Sequence, residues 1–382
     1  MIQNLAERLR SSRPRRICVI KPSSLGDIVH ALPILPALRK LFPDARISWV
    51  VNQGFRSLLD GHPDLDEVIA YDRGGSGVSG RSVVATARLC GMLLDRRFDL
   101  TIDLQGLLRS GLMTAATRAG VRLGMADARE GATWFYTDLV TSSRLDTHAV
   151  DRVLQVASAL GDDGPVARFT IPVSEDDRRW AVGALAGLPR PRLALNMGAR
   201  WLTKRWPPEH FAEIARRAAM ELGAGLVAVG SAEDRPLARA IRDGLGNVPC
   251  LDLTGKTSLR RLAAVARECD LFVSNDTGPL HLAAAAGATV VGIYTCTDPR
   301  RTGPYGANAT VVRSCVWCAP SFRKSCDRLE CFRELTPARV WPAVRQQLEK
   351  SRHGTIRPEL PRKTSGPHHA LRQFCNFEMD SL

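Results

Sequence analysis

Short β-branched apolar runs alternate with amphipathic helical stretches twice along this chain, and that alternation limits the possible folds more than any other feature. In the first set Arg16–Ile20 reads as a strand, Ile28–Leu41 as an amphipathic helix, Arg46–Val51 as a strand, Phe55–Leu59 as a short helix and Val68–Tyr71 as a strand. The glycine- and serine-rich stretch Gly74–Gly80 reads as a mobile loop, followed by a helix over Val83–Leu94, a strand at Leu100–Asp103 and a helical stretch over Arg144–Leu160. Glycines, prolines and charges interrupt the pattern near Gly161–Arg192. It then resumes, with strands at Leu193–Asn196, Leu226–Val229, Cys250–Leu253, Leu271–Ser274 and Thr289–Ile293. Helices at Pro208–Leu222, Arg235–Gly244, Leu259–Glu268 and Pro279–Ala286 fall between them, and Pro337–Lys350 reads as a closing helix. Such alternation implies parallel sheets with right-handed crossovers. The expected class is α/β, with two doubly wound, Rossmann-like domains in tandem. A length of 382 residues fits two domains. We place a basic N-terminal extension at 1–15, a first domain at 16–175, a second at 176–350, and a flexible tail rich in Pro, His, Arg and Lys at 351–382.

The charge balance narrows the partners. The 53 Lys and Arg residues exceed the 39 Asp and Glu residues by 14, which favours nucleic acid, anionic lipid or phosphorylated substrates. Nucleic acid is disfavoured, because the cations are scattered through the α/β pattern without clustered aromatics or a nucleic-acid module. No apolar run approaches the roughly 20 residues that span a bilayer, and MIQNLAERLRSSRPRR lacks the apolar core of a signal peptide, so a cytoplasmic location is expected. Of ten cysteines, Cys315, Cys318, Cys326 and Cys331 form C-x2-C-x7-C-x4-C. That spacing is open to a structural zinc, to disulfides or to free thiols.

Three loops after predicted strands carry the candidate chemistry, where ligands of doubly wound sheets bind. In LFVSNDTGPLHLAAAAG, Leu271–Gly287, a buried strand turns into a helix that begins at Pro279 and stops at Gly287. The free N–H groups of Thr277, Gly278 and the first turn form an anion seat at the positive end of the helix dipole, with His281 one turn inside. The bland reading is an ordinary well-capped connection. After the first strand, KPSSLGDIVH places Asp27 where a helix begins, as an N-terminal cap or as a general base within reach of a substrate hydroxyl. Lys21 in the same loop reads as solvated. After the strand ending at Asn196, MGARWLTKRWP sets two small residues, Gly198 and Ala199, before Lys204 and flanking tryptophans, suiting a second phosphate contact or, failing that, a solvated basic loop.

Five motifs in order, SSLGDIVHALPILPALRKLFP, DLQGLLRSGL, KRWPPEHFAEI, LTGKTSLRRLAAVA and SNDTGPLHLAAAAG, resemble the ADP-heptose:lipopolysaccharide heptosyltransferases of glycosyltransferase family 9. The resemblance runs from about Arg16 to Val344 and implies a GT-B fold, two Rossmann-like domains facing across a cleft. It implies an inverting, metal-independent transfer of heptose from ADP-heptose to a lipopolysaccharide inner-core sugar. No cofactor beyond the donor is implied, and no D-x-D pair sits at a loop suited to Mg²⁺. By position, Asp27 matches the base, Lys204 the lysine on the donor phosphates, and Asp276, Thr277, Gly278 and His281 the nucleotide-binding turn. Glu233 or Asp234 is similar to the acidic ribose contact, and Thr257 to a position beside the adenine. Gly198 and Ala199 depart from a branch that carries threonines there, leaving the phosphate contact to backbone amides. Ser24, Gly26, Gln105, Arg109 and Arg129 match the acceptor side, the two arginines as cations for a lipid-linked acidic oligosaccharide. The surplus positive charge suits peripheral contact with an anionic membrane. Rival readings are another nucleotide sugar, a non-catalytic sugar-nucleotide sensor and a nucleic-acid-binding protein.

Overall fold

The structure, a computed structural model, describes residues 2–72, 80–142, 146–306, 308–352 and 372–374. The chain divides into two compact units, Met1–Pro172 and Val173–Leu382. Most of Gly74–Gly80, the start of the Arg144–Leu160 stretch and most of the segment 351–382 lie outside the described residues.

The first unit holds six parallel strands, β1 Arg16–Ile20, β2 Arg46–Asn52, β3 Glu67–Tyr71, β4 Leu100–Asp103, β5 Val121–Met125 and β6 Asp138–Val140, in the order β3-β2-β1-β4-β5-β6. In β1, Ile17 pairs with Ile47 on one side and Leu100 on the other, and Ile17 to Ile20 are all buried. Burial on both faces is why these strands read as unbroken apolar runs. β5 and β6, with the helix Leu108–Ala116, do not announce themselves in the sequence. In β5, Gly124 lies under the ring of Tyr136, where a Cβ would collide, and Arg122 breaks the apolar run.

Two expectations are corrected here. The stretch Ile28–Leu41 is two helices, Leu25–Ala31 and Ile34–Leu41, because Pro33 has no N–H to continue the first. Residues 2–12, expected as part of an extension, form a helix whose Leu5, Ala6 and Leu9 share one buried face, with Arg8 bonded to Asp138 at 2.9 Å.

The second unit holds seven parallel strands, β7 Arg192–Asn196, β8 Gly225–Val229, β9 Cys250–Asp252, β10 Leu271–Asn275, β11 Val290–Tyr294, β12 Ala309–Arg313 and β13 Arg372–Phe374, in the order β13-β12-β11-β10-β7-β8-β9. The helix Glu175–Leu185 belongs to this unit, with the Arg261 guanidinium 4.6 Å from the ring of its Trp180. Trp206, fully buried, donates its indole N–H to the Leu335 carbonyl at 2.6 Å and fastens the loop after β7 to the closing helix region. That closing helix runs Pro337–Arg352, and its Gln347 donates to Thr310 of β12 at 3.0 Å. Within the segment expected to be a tail, Ser351 and Arg352 end this helix and Arg372–Phe374 pair in parallel with β12.

Both sheets reverse strand order at one place, between β1 and β4 in the first unit and between β7 and β10 in the second. Neighbouring strands there send their following loops to opposite faces and leave a crevice at the carboxyl ends.

Candidate active site

At the β1/β4 switch point the loops are tied together from beneath. Lys21 is only 9% exposed and donates to the Leu104 carbonyl at 2.9 Å, so it is a structural tie and not the solvated residue expected. The Ser23 N–H reaches Gln105 Oε1 at 3.4 Å. Asp103, missed in the sequence because it reads as the end of an apolar strand, is buried and organises the next turn. Its carboxylate accepts from the Gln105 and Gly106 N–H groups at 2.8 and 3.1 Å and from the Tyr136 hydroxyl at 2.7 Å. Burial drives the Asp103 pKa upward, partly offset by those bonds, and burial beside Asp103 likewise raises that of Tyr136. Gly106 takes a φ of +68°, and its carbonyl accepts from the Arg129 N–H at 2.9 Å, which brings Arg129 to this loop. Arg109 stands in the first turn of the helix Leu108–Ala116. Neither arginine has a carboxylate within salt-bridge distance among the described residues.

Asp27 lies in the first turn of the helix Leu25–Ala31, half-buried, where the helix dipole favours a carboxylate. One of its oxygens accepts from the Ser24 N–H at 3.0 Å and the Ser24 hydroxyl at 2.7 Å. Ser24, Gly26, Asp27 and Gln105 therefore gather at one strand-end crevice. The capping and functional readings of Asp27 are compatible, since the bonds to Ser24 fix its orientation.

At the β7/β10 switch point the polar groups are deeper. Asn275 donates to the Met197 carbonyl at 2.8 Å and accepts from the Trp206 N–H at 3.2 Å, while Asn196 donates to Ser274 at 2.9 Å and Thr277 at 3.2 Å. These bonds hold the loop after β7 against the turn after β10. Asp276 is 3% exposed, and its carboxylate accepts from Lys204 Nζ at 2.5 Å and the Thr297 hydroxyl at 2.6 Å, with His281 Nε2 at 3.4 Å. Burial alone would raise its pKa, but the bonds and charges of His281 and Lys204 prevail and hold the carboxyl well below its usual range. Lys204 Nζ also lies 4.8 Å from the Trp201 ring centre.

Thr277 and Gly278 are half-buried at the start of the helix Gly278–Ala285, whose end is marked by Gly287 at φ +90°. Gly198 packs against the Asp234 carboxylate, where any Cβ would collide, and Ala199 offers its carbonyl to Arg205 at 2.8 Å. Asp234 also accepts from the Ser231 N–H and hydroxyl, both at 2.8 Å, whereas Glu233 is exposed. Thr257 is half-buried in the loop between β9 and the helix Leu259–Glu268.

The cysteine cluster does not assemble as four zinc ligands. Cys315 is disulfide-bonded, and among the described residues no group of three His, Cys, Asp or Glu side chains is placed to hold a metal. Cys318, Cys326 and Cys331 are free thiols and, with Cys296, line a cavity of ≈510 Å³ beside Thr203. Burial first, and the neighbouring sulfurs second, push Cys331 up to about 11. Among the described residues no helix is long and apolar enough to cross a membrane.

Glycosyltransferase family 9 (heptosyltransferase) matches residues 86–331. Lipopolysaccharide heptosyltransferase 1 of Pseudomonas aeruginosa is 30% identical over 355 residues, covering 85% of this chain and 96% of that protein. A glycosyl transferase family 9 structure from Veillonella parvula aligns with a TM-score of 0.75 at 25% identity, over 88% of this chain and 97% of that one. E. coli heptosyltransferase WaaC with ADP-2-deoxy-2-fluoro heptose aligns at 0.64 with 27% identity, over 88% and 99%.

Proposed function

We propose, from the premise that this chain belongs to glycosyltransferase family 9, the heptosyltransferases, that it moves heptose from ADP-heptose to a lipopolysaccharide inner-core sugar, inverting the anomeric centre without a metal. The observation that carries this reading is the buried Asp276 aiming Lys204 beside the open N-terminus at Thr277 and Gly278. A fixed cation next to free backbone N–H groups suits a departing diphosphate, and it acts without reorganising during the reaction. The WaaC relative, solved with an ADP-heptose analogue, supports the choice of donor.

Asp27 takes the proton from the acceptor hydroxyl as that oxygen bonds to the anomeric carbon, and the breaking C–O bond leaves its electrons on ADP. Lys204, the amides at Thr277 and Gly278 and those at Gly198 and Ala199 carry the diphosphate charge. This is the electrostatic task a metal performs elsewhere. Glu233 is the better candidate for the ribose, because the Asp234 carboxylate is already held by Ser231. Thr257 stands beside the adenine. Asp276 and His281 serve by holding Lys204 and the turn. Ser24, Gly26 and Gln105 position the acceptor hydroxyl, and Arg109 and Arg129 meet its acidic groups. The enzyme works in the cytoplasm at the anionic membrane face that carries its lipid-linked acceptor.

The test is turnover by the purified chain over a panel of nucleotide sugars with a lipid-linked inner-core acceptor, with the product's anomeric configuration read by NMR. Turnover with ADP-heptose and an inverted linkage is expected. Preference for another nucleotide sugar, or retention of configuration, would overturn the reading.

A further inference from the structure

Lys204 brings less than a full charge to the donor, because Asp276 pairs with it at 2.5 Å and is held ionised, against its burial, by His281 and Lys204. An ADP-sugar is anionic, and its leaving group gains further charge as the glycosidic bond breaks, so a Lys204 already paired with Asp276 leaves part of that charge unmatched. A second lysine stands on the same indole. Lys324 Nζ lies 5.7 Å from the Trp201 ring centre, against 4.8 Å for Lys204. Lys324 is exposed and has no carboxylate within salt-bridge distance among the described residues.

The approach of the two lysines is built into the backbone. The residue before Lys204 is bonded to the residue before Lys324, with the Thr203 hydroxyl donating to the Arg323 carbonyl at 2.6 Å. The Phe322 N–H donates to the Cys296 carbonyl at 2.8 Å, and the Thr295 hydroxyl to the Thr203 carbonyl at 2.5 Å. The cysteine-rich segment is thereby stitched to the loop after β7 and to the end of β11, and the two lysines emerge together. Of the two other cations in this loop, Arg205 is engaged with the Ala199 carbonyl, and Arg200 is exposed.

We propose that Lys324 is a second cation on the donor's diphosphate, carried by the cysteine-rich segment and set beside Lys204 by Trp201. This rests on the ADP-sugar reading above. Lys204 is fixed, with part of its charge offset by Asp276; Lys324 is exposed and uncompensated, and adds charge.

The experiment is calorimetric titration of the full chain with ADP and with adenosine, for wild type, Lys324→Ala, Lys324→Arg and, as a control from the same segment, Arg328→Ala. Lys324→Ala should weaken ADP roughly tenfold, as for a charged contact, with adenosine unchanged. Lys324→Arg should keep most of the ADP affinity, and Arg328→Ala all of it. The salt dependence of ADP binding should become shallower in Lys324→Ala. ADP affinity within about twofold of wild type would overturn the inference, as would an equal loss for adenosine, which would mean a disturbed loop and not a missing charge. An unchanged ADP affinity with a raised acceptor KM would assign Lys324 to the acceptor and also overturn it. Failure of the wild-type chain to bind ADP would instead sink the donor assignment beneath it.

Discussion

The two switch points have the same topology and use a carboxylate in opposite ways. Asp27, after β1, is half-buried, with Ser24 bonded to one oxygen. Asp276, after β10, is buried, with Lys204, Thr297 and His281 around its carboxylate. Sheet order fixes where a polar loop can meet a ligand. Depth and partners decide whether the carboxylate there can act on a proton or can only position other groups. The same contrast holds beneath the loops: the first unit ties its crevice with Lys21 and Asp103, the second with Asn196 and Asn275.

The comparison is broken most directly by neutralising each carboxylate. Asp27→Asn should lower turnover at least about a hundredfold while ADP affinity and thermal stability stay near wild type. Retention of more than about a tenth of the rate would remove Asp27 from the role of base. Asp276→Asn should show the reverse emphasis, losing about 4 kcal/mol of stability in denaturant titration, because it leaves Lys204 facing an uncharged buried partner. A denaturation midpoint equal to wild type would mean that the buried pair does not support the second unit.

Lys204→Ala sharpens the contrast from the cation's side. ADP affinity and transfer rate should fall together, with kcat/KM down by roughly a hundredfold, as the proposed role of the ammonium on both bound donor and leaving group requires. A change in rate with unaltered ADP binding would place Lys204 elsewhere.

Acid should separate the two units as well. Burial, outweighing Asp64, lowers His62 in the first unit to about 4, while its Nδ1 accepts from the Asp64 N–H at 3.2 Å. A base whose folded pKa is depressed contributes stability that is complete above its unfolded pKa near 6.5 and is lost as pH falls toward about 4. Asp276 is depressed below the usual carboxylate range, so its contribution is lost only at lower pH. Between pH 7 and pH 4.5, His62 should cost the first unit roughly 2 kcal/mol. His62→Gln should flatten that loss in denaturation followed at the two pH values; an identical slope in the variant would exonerate His62. The smallest expected effect is that of chelation. EDTA should leave the rate unchanged under the proposed mechanism, in which lysines and backbone amides carry the diphosphate charge, and a reversible loss restored by Mg²⁺ with the fold intact by circular dichroism would contradict that.

Much of this protein was legible in its sequence wherever local chemistry suffices. β1, β2, β4, β7, β8, β10 and β11 are apolar runs because both faces of a parallel sheet are covered, and the helix after β10 has its proline and terminal glycine where helix ends require them. The loops carrying Asp27, Lys204 and the Asp276–His281 turn were therefore placed after the right strands from residue order alone. Tertiary structure decided the rest, because those features depend on residues far apart in the chain. β5 needs Tyr136 over Gly124, β12 sits beneath Gln347, and the extension became core through Leu5 and Leu9. No local pattern foretells that Lys21 is buried under Leu104, that Cys315 is disulfide-bonded, or that Asp276 meets a lysine 72 positions away. A residue's type and its neighbours in sequence set its chemistry, but its charge state and its role follow from desolvation and from partners that only the folded chain brings within a few ångströms.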